Sequence, residues 1–389
     1  MARGYFLLLA FVGLITTSSL QAEKPLIVID KKARIDVYVA PISGGQGAEA
    51  TRVLENDLQM ADSFNLVAQD AAAYVIKGQL TGDGVSGNVT QKDGTTAISK
   101  NFSGSWRPAT HLFADAIVEK LTGTPGFASS KVTFISSHSG SKEVFTMDID
   151  GANVHQLSND KVLSLGPKFS YDGKKIAYTS YKSHFPDVWV IDLFNSKRNR
   201  VAFFPGLNSQ PAFSPNGSTL ALILSKDGNT ELYTIAAEGG SPQRLTTTRG
   251  TEASPVWSPT GDQIAYVSDD RGSAQIFTMP ATGGTPTRLK TVSSTSPYAT
   301  EPDWSPDGKK IAYSVRINGT TQIGATNLET QDTMLLTDSG RCETPSWTHD
   351  SRHLLYSSHG TLYLLDSLTK KSIQIKNGLT QNSEPNCTR

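Results

Sequence analysis

An excess of charge of either sign is missing from this chain. Its 389 residues carry 36 Lys and Arg against 36 Asp and Glu. A protein that holds nucleic acid or an anionic membrane surface shows a basic excess or a basic stripe. Neither is visible, so both partner classes are set aside. Cysteine is scarce as well. Cys342 and Cys387 are the only two, too few for a disulfide scaffold. Long hydrophobic runs are also lacking. The longest, Tyr5 to Ile15, has 11 residues, against the roughly 20 that a spanning helix needs. Three catalytic signatures are absent: the G-x-S-x-G nucleophile elbow, the H-E-x-x-H metal helix and the G-x-x-x-x-G-K phosphate loop. The seven histidines (His111, His138, His155, His184, His349, His353 and His359) are scattered. Only His349 and His353 stand four apart, and they fall in a strand-turn-strand pattern where that spacing gathers nothing.

The N-terminal run has a use of its own. Arg3 supplies a basic start, the 11 apolar residues follow, and "SSLQA" leads to a cleavage position after Ala22. This is a secretory signal pattern. Residues 1–22 are expected to be a signal peptide and the remainder a soluble, exported, periplasmic protein.

What the chain has in quantity is one motif. "PKFSYDGKKIAY" begins at Pro167, "PAFSPNGSTLAL" at Pro211, "PVWSPTGDQIAY" at Pro255, "PDWSPDGKKIAY" at Pro302 and "PSWTHDSRHLLY" at Pro345. The spacings are 44, 44, 47 and 43. A second-half copy, "SKVTFIS", precedes the first full motif, and a first-half copy, "SEPNC", ends the chain. Together they make a sixth unit. A fixed period of this length marks a repeat architecture. Each unit reads as four short strands, with Pro and Gly in the turn between the first two. That is a WD40-like propeller blade. The aromatic at the third motif position (Phe169, Phe213, Trp257, Trp304 and Trp347) recurs too regularly for one ligand site and is read as the wedge between blades. The expectation is a mainly β, six-bladed propeller over 127–389, closed when the tail pairs with the sheet that starts at Val132. Cys387 then sits five strand positions out of register with Cys342, so two free thiols are expected.

Residues 23–126 do not follow the period. "RIDVYVA" and "YVIKGQLT" read as strands. Residues 47–62 and 110–123 read as amphipathic helices. The second is expected to have Thr110 as N-cap, Gly123 at its C-terminus, and Leu112, Ala116, Ile117 and Leu121 inward. This is a small α/β domain.

The loops entering the first strands should open at one mouth of the channel. They bring Glu252, Glu301, Glu343 and Glu384 there, with Asn208 and Gln210. Such a ring admits several readings. It could meet a partner or be a solvated rim. It could hold Ca²⁺, with Glu252, Glu301 and Glu343 as oxygen ligands. It could also supply acid and base to a carbohydrate lyase or hydrolase. No other metal and no cofactor is indicated.

The segment "HLFADAIVEKLTGTPGF" (111–127) before a six-bladed array resembles the TolB family, the periplasmic propellers of the Tol-Pal system. His111, Asp115, Glu119 and Lys120 match that family's signature at the domain junction. The resemblance implies a monomeric, non-enzymatic adaptor in outer-membrane integrity and cell division. It implies that the propeller mouth binds a Pal-like peptidoglycan-associated lipoprotein. It further implies that the N-terminal segment, with Leu26, Ile27, Val28, Ile29 and Asp30, binds a TolA-like inner-membrane protein by strand addition. The chain departs from the pattern at "SWTHDSRHLLY" and at "EPNCTR", which lacks the closing aromatic.

Overall fold

The computed structural model describes residues 34–292 and 298–389. The predicted strand Leu26–Asp30 and the signal peptide lie outside them. Residues Arg34–Arg389 form one compact unit.

Its first part is a five-stranded sheet with two helices. In chain order it runs β1 (Ile35–Val39), α1 (Gly47–Met60), β2 (Phe64–Leu66), β3 (Tyr74–Thr81), β4 (Gly84–Gln91), β5 (Thr96–Ser103) and α2 (Trp106–Thr122). The sheet order is β2-β1-β3-β4-β5. The β1 pairings to β2 and β3 are parallel, and the hairpins β3-β4-β5 are antiparallel. α1 buries Ala50, Val53, Leu54 and Leu58, as its apolar spacing predicts. α2 starts one turn earlier than the sequence suggested. Ser105 is the N-cap, with extended backbone. Thr110 instead donates its hydroxyl to the Trp106 carbonyl at 2.7 Å. The buried stripe runs through Ala109, Phe113, Ala114, Ile117 and Val118, rotated from the expected face, and Leu112 is left exposed. Gly123 ends the helix at φ 75°, its N–H on the Glu119 carbonyl, the left-handed cap that glycine permits.

Six four-stranded sheets follow among the described residues. The first blade comprises β6 (Lys131–Ser136), β7 (Glu143–Asp148), β8 (His155–Gln156) and, as its inner strand, the tail Asn382–Cys387. The tail pairs antiparallel with β6, Cys387 opposite Val132, so the ring is closed as expected and the sheet edge there is covered. The other inner strands are Ser164–Phe169, Asn208–Phe213, Glu252–Trp257, Ala299–Trp304 and Cys342–Trp347, in blades two to six. Each ends on the wedge aromatic, buried in every case; Cys387 takes that place in the tail. Cys342 is first and Cys387 sixth in their strands, and both are buried free thiols.

The turn after each inner strand needs one left-handed residue. Gly173, Gly217, Gly261 and Gly308 supply it. In the altered sixth blade Ser351 does so at φ 55°. Asp350, one residue earlier, there accepts from His353 Nδ1 at 2.5 Å.

The two parts share one core. Leu54, Leu58, Phe113 and Ile117 pack in the same cluster as Phe127, Val132, Phe145, Leu355 and Leu364. The α/β layer thus covers the first and sixth blades. It meets them where their second strands begin, at Lys131 and His353, which is the end away from the channel mouth.

Candidate functional site

The inner strands share one sequence: three variable residues, proline, one variable residue, then the wedge aromatic or Cys387. The third residue of each has positive φ: Gly166 58°, Gln210 53°, Ser254 49°, Glu301 54°, Thr344 55° and Glu384 54°. At that point the ladder to the second strand slips in all six blades. This is a bulge repeated around the channel. Proline is tolerated beside it because an inner strand is a sheet edge.

The bulge turns the third residue's N–H away from its own sheet, toward the neighbouring blade. The acceptors follow a pattern of alternating side-chain length. Gln210, Glu301 and Glu384 are long; Ser254, Thr344 and Gly166, which come next around the ring, are short. Ser254 N–H donates to Gln210 Oε1 at 2.8 Å. Thr344 N–H donates to Glu301 Oε2 at 2.9 Å. Gly166 N–H donates to Glu384 Oε2 at 2.5 Å. Gln210 N–H finds Thr179 Oγ1 instead, at 3.0 Å, because the preceding bulge residue is glycine. Three long polar side chains thus bolt three seams. Burial raises the Glu301 and Glu384 carboxyls above the ordinary range, against these hydrogen bonds.

The carboxylates named from sequence therefore do not form one ring. Glu301 and Glu384 occupy the bulge level and line the channel. Glu343 stands one residue earlier, half-buried, and pairs with exposed Arg341 at 2.7 Å. Glu252 stands one residue earlier still, at the first strand position. It is buried and accepts from Thr248 and Ser268 hydroxyls, each at 2.9 Å. Asn208, at that same first level, is a correction. Its side chain is fully buried and clamps Phe204 and Gly206 of its own loop and the Pro186 carbonyl. It offers nothing to a partner. Gln210 is exposed at the mouth. Among the described residues, Glu252, Glu301 and Glu343 are not gathered into a set that could share a cation. The pleat and the bulge put them at three depths.

The channel is a cavity of about 600 Å³ with a collar of six prolines, Pro167, Pro211, Pro255, Pro302, Pro345 and Pro385. Below the collar, Lys168 is pushed down by burial while Asp303, Glu301 and Glu384 oppose that shift. At the far end the guanidinium of Arg389 crosses from the tail to Asp303 Oδ1 at 2.6 Å and donates to Tyr171 Oη at 2.9 Å. Asp303 Oδ2 meanwhile accepts the Trp347 N–H at 2.8 Å. The channel is open at the mouth and narrowed by this cluster at its other end.

The junction residues divide in two. His111 and Asp115 join the parts. His111 is buried between Asp57 of α1 and Asp148 of β7. Asp115 accepts the Ala128 and Ser129 N–H groups of the linker at 2.6 and 3.0 Å. Glu119 and Lys120 are exposed. Sequence reasoning missed Asp57, Arg107, Asp148, Asp303 and Arg389. The alternation at the bulge was readable, since the residue before each repeated proline runs Gly, Gln, Ser, Glu, Thr, Glu.

Against known proteins, the model of the TolB beta propeller domain matches residues 118–386. The chain belongs to this family. Among TolB relatives, the Tol-Pal system protein TolB of Geobacter metallireducens is 35% identical over 184 residues, 39% of this chain and 42% of that protein. A "Protein TolB homolog" of Chlorobium chlorochromatii is 37% identical over 131 residues, 31% of this chain and 30% of that protein. The chain therefore aligns with less than half the length of these relatives. In fold, TolB from Acinetobacter baumannii superimposes with a TM-score of 0.83 at 24% identity, covering 92% of this chain and 97% of that one. Among the described residues no helix is long and apolar enough to cross a membrane.

Proposed function

We propose that this TolB-family chain is a non-enzymatic periplasmic adaptor of a Tol-Pal system. In this reading the propeller mouth receives a Pal-like lipoprotein, and the segment holding Leu26–Asp30 engages a TolA-like inner-membrane protein. The observation that carries it is the inequality of the two channel ends. One end is narrowed by Arg389, Asp303 and Tyr171, on the side where the α/β layer packs. The other opens to solvent through the proline collar. The naming of Tol-Pal relatives gives the partner classes.

The carboxylates favour a scaffold over acid–base chemistry. Glu301 and Glu384 each commit an oxygen to a neighbour's backbone N–H. Glu252 is enclosed by hydroxyls of its own blade. A catalytic acid and base must be free to meet substrate; of the four glutamates only Glu343, paired with exposed Arg341, keeps a half-exposed carboxylate, which leaves no second group for acid–base work.

The test is capture of a purified Pal-like lipoprotein ectodomain by the soluble chain. Two mouth variants that spare the bulge hydrogen bonds are used: Glu343→Lys, which reverses charge at the rim, and Thr251→Trp, which crowds the opening. The expected result is a loss of binding of about tenfold or more for at least one, with unchanged melting temperature; one buried interface side chain commonly carries that much. Full binding by both variants removes the mouth from the reading.

A further inference from the structure

The joint between α/β layer and propeller contains a buried cluster of charge that the proposed function does not use. His111 lies on α2 and is 1% exposed. Its Nδ1 is 2.7 Å from Asp57 Oδ2 on α1, and its Nε2 is 3.7 Å from Asp148 Oδ2 at the end of β7. Against its burial, His111 and Lys131 hold Asp148 well below the ordinary carboxylate range, and it accepts only, whereas burial raises Asp57 to about 7 against its hydrogen bond and charge attraction to His111. A neutral imidazole has one N–H and can serve one of them. An imidazolium hydrogen-bonds Asp57 through Nδ1 and turns its second N–H, buried without a hydrogen-bond partner, toward Asp148 as an ion pair at 3.7 Å, which links α1 to the first blade.

The remaining charged groups facing His111 decide how many protons the cluster wants. Arg107 of α2 bridges Asp148 and Asp150. Lys131 of β6 pairs with Asp148. Asp115, one turn along α2, is occupied by the linker amides. The cluster therefore holds four carboxyl groups, Asp57, Asp115, Asp148 and Asp150, against two fixed cations, Arg107 and Lys131, and a charged His111 offsets part of that excess. Donor atoms of Asp57, His111 and Asp150 also lie within 4.8 Å of one another, a spacing that would suit a metal ion. Arg107 already occupies Asp150, so an ion there would compete with a fixed guanidinium.

We propose that the α/β layer is latched to the propeller through a proton held by His111, so that the joint loosens as pH rises. The electrostatics agree in sign. Burial lowers the imidazole's proton affinity, but the close Asp148 carboxylate and the hydrogen-bonded Asp57 override it and hold His111 up at about 9. A histidine raised in the folded state contributes its full stabilisation below its ordinary value of 6.5. It loses that contribution as pH climbs through the folded value. The window set by His111 is therefore pH 6.5 to 9; Asp57, raised to about 7 in the folded state, adds a loss of the same sign that is complete above about pH 7.

The test uses the full soluble chain with ¹⁵N-labelled histidine. Of the seven histidines, the His111 resonances are assigned by comparison with a His111→Gln variant. A titration midpoint above pH 7 for His111 supports the latch; one at or below pH 7 overturns it. Hydrogen exchange gives a readout of docking itself. Protection of α1 and α2 amides, corrected for the intrinsic pH effect and referenced to fourth-blade amides, should fall between ~10- and ~100-fold from pH 6.5 to 9, as one shifted proton allows. In His111→Gln the same ratio should be flat. A pH-independent ratio in the wild-type chain, or an equal slope in the variant, overturns the proposal.

Discussion

Glu384 Oε2 accepts the N–H of Gly166 at 2.5 Å, across the seam where the tail strand meets the second blade. These residues are 218 apart in sequence, and their contact is part of what makes a ring out of an array. It is followed along the same seam by Asn386 Oδ1, which accepts the Phe169 N–H at 2.9 Å. Closure is thus made by side chains reaching to backbone as well as by the pairing of the tail with β6.

Glu384 offers a clean dissection of that seam. Glu384→Gln keeps an acceptor for the Gly166 N–H and removes a carboxylate that burial already disfavours; its unfolding midpoint in urea should stay within about 1 kcal/mol of wild type. Glu384→Ala strands the N–H and should cost about 1–3 kcal/mol. Equal effects of the two substitutions would show that the hydrogen bond is unimportant.

The Arg389–Asp303 pair closes the channel floor. Asp303 is 1% exposed at its side chain and Arg389 10%. Removing one partner of a buried pair leaves an uncompensated charge, at a cost of about 3–5 kcal/mol. Arg389→Ala should therefore lower stability strongly. Adding Asp303→Asn should recover much of the loss, because the stranded charge goes while an acceptor for the Trp347 N–H remains. A double variant no more stable than Arg389→Ala would place the effect in packing on Tyr171 instead.

The repeat was legible because its physics is periodic. Pro, aromatic and turn glycine recur at a spacing no single site requires, and the half-copies at either end implied the closure. The mouth was less legible. Counting along the loops put four glutamates in one ring, but a bulge moves each strand's residues in depth. Glu343 and Glu252 came out one and two levels from the bulge position that Glu301 and Glu384 occupy. The junction was half legible. His111 and Asp115 sit in a recognisable helix, but the His111 partners Asp57 and Asp148 come from α1 and β7, whose meeting with α2 depends on how two layers dock. Leu112 illustrates the same limit. It sits on the predicted stripe, yet the face that packs is the one through Ala109, Phe113 and Ile117, which leaves it in solvent.

Trp347 tests the wedge role of the repeated aromatic. It is fully buried; its indole N–H donates to the Asp303 carbonyl at 3.2 Å, and the Lys310 ammonium lies 4.8 Å above its ring. Trp347→Ala should cost about 3–5 kcal/mol. Trp347→Phe keeps most of the wedge, as the second and third blades do with Phe169 and Phe213, and should cost markedly less. Thermal unfolding followed by tryptophan-independent circular dichroism distinguishes them. An alanine variant as stable as the phenylalanine one would mean the cavity collapses and the wedge is dispensable.

Glu252 gives the blades a pH dependence of their own. Burial raises its carboxyl to about 7, against hydrogen bonds from Thr248 and Ser268, and the neighbouring Glu231 raises it further. Arg244 pairs with Glu231 at 2.8 Å, and Oε2 of each glutamate is buried without a hydrogen-bond partner. A proton between them satisfies both. An acid whose folded value is raised binds its proton more tightly folded than unfolded. Stability therefore declines as pH rises from the ordinary glutamate value of 4.5 to about 7, and the decline is complete above that. Glu252→Gln supplies a permanent N–H in place of the titrating proton. It should match wild type near pH 4.5 and exceed it by about 1–2 kcal/mol at pH 8. Urea unfolding at the two pH values decides the matter: a variant that gains nothing at pH 8 would mean that Glu252 is ionised without penalty, and that the two glutamates do not share a proton.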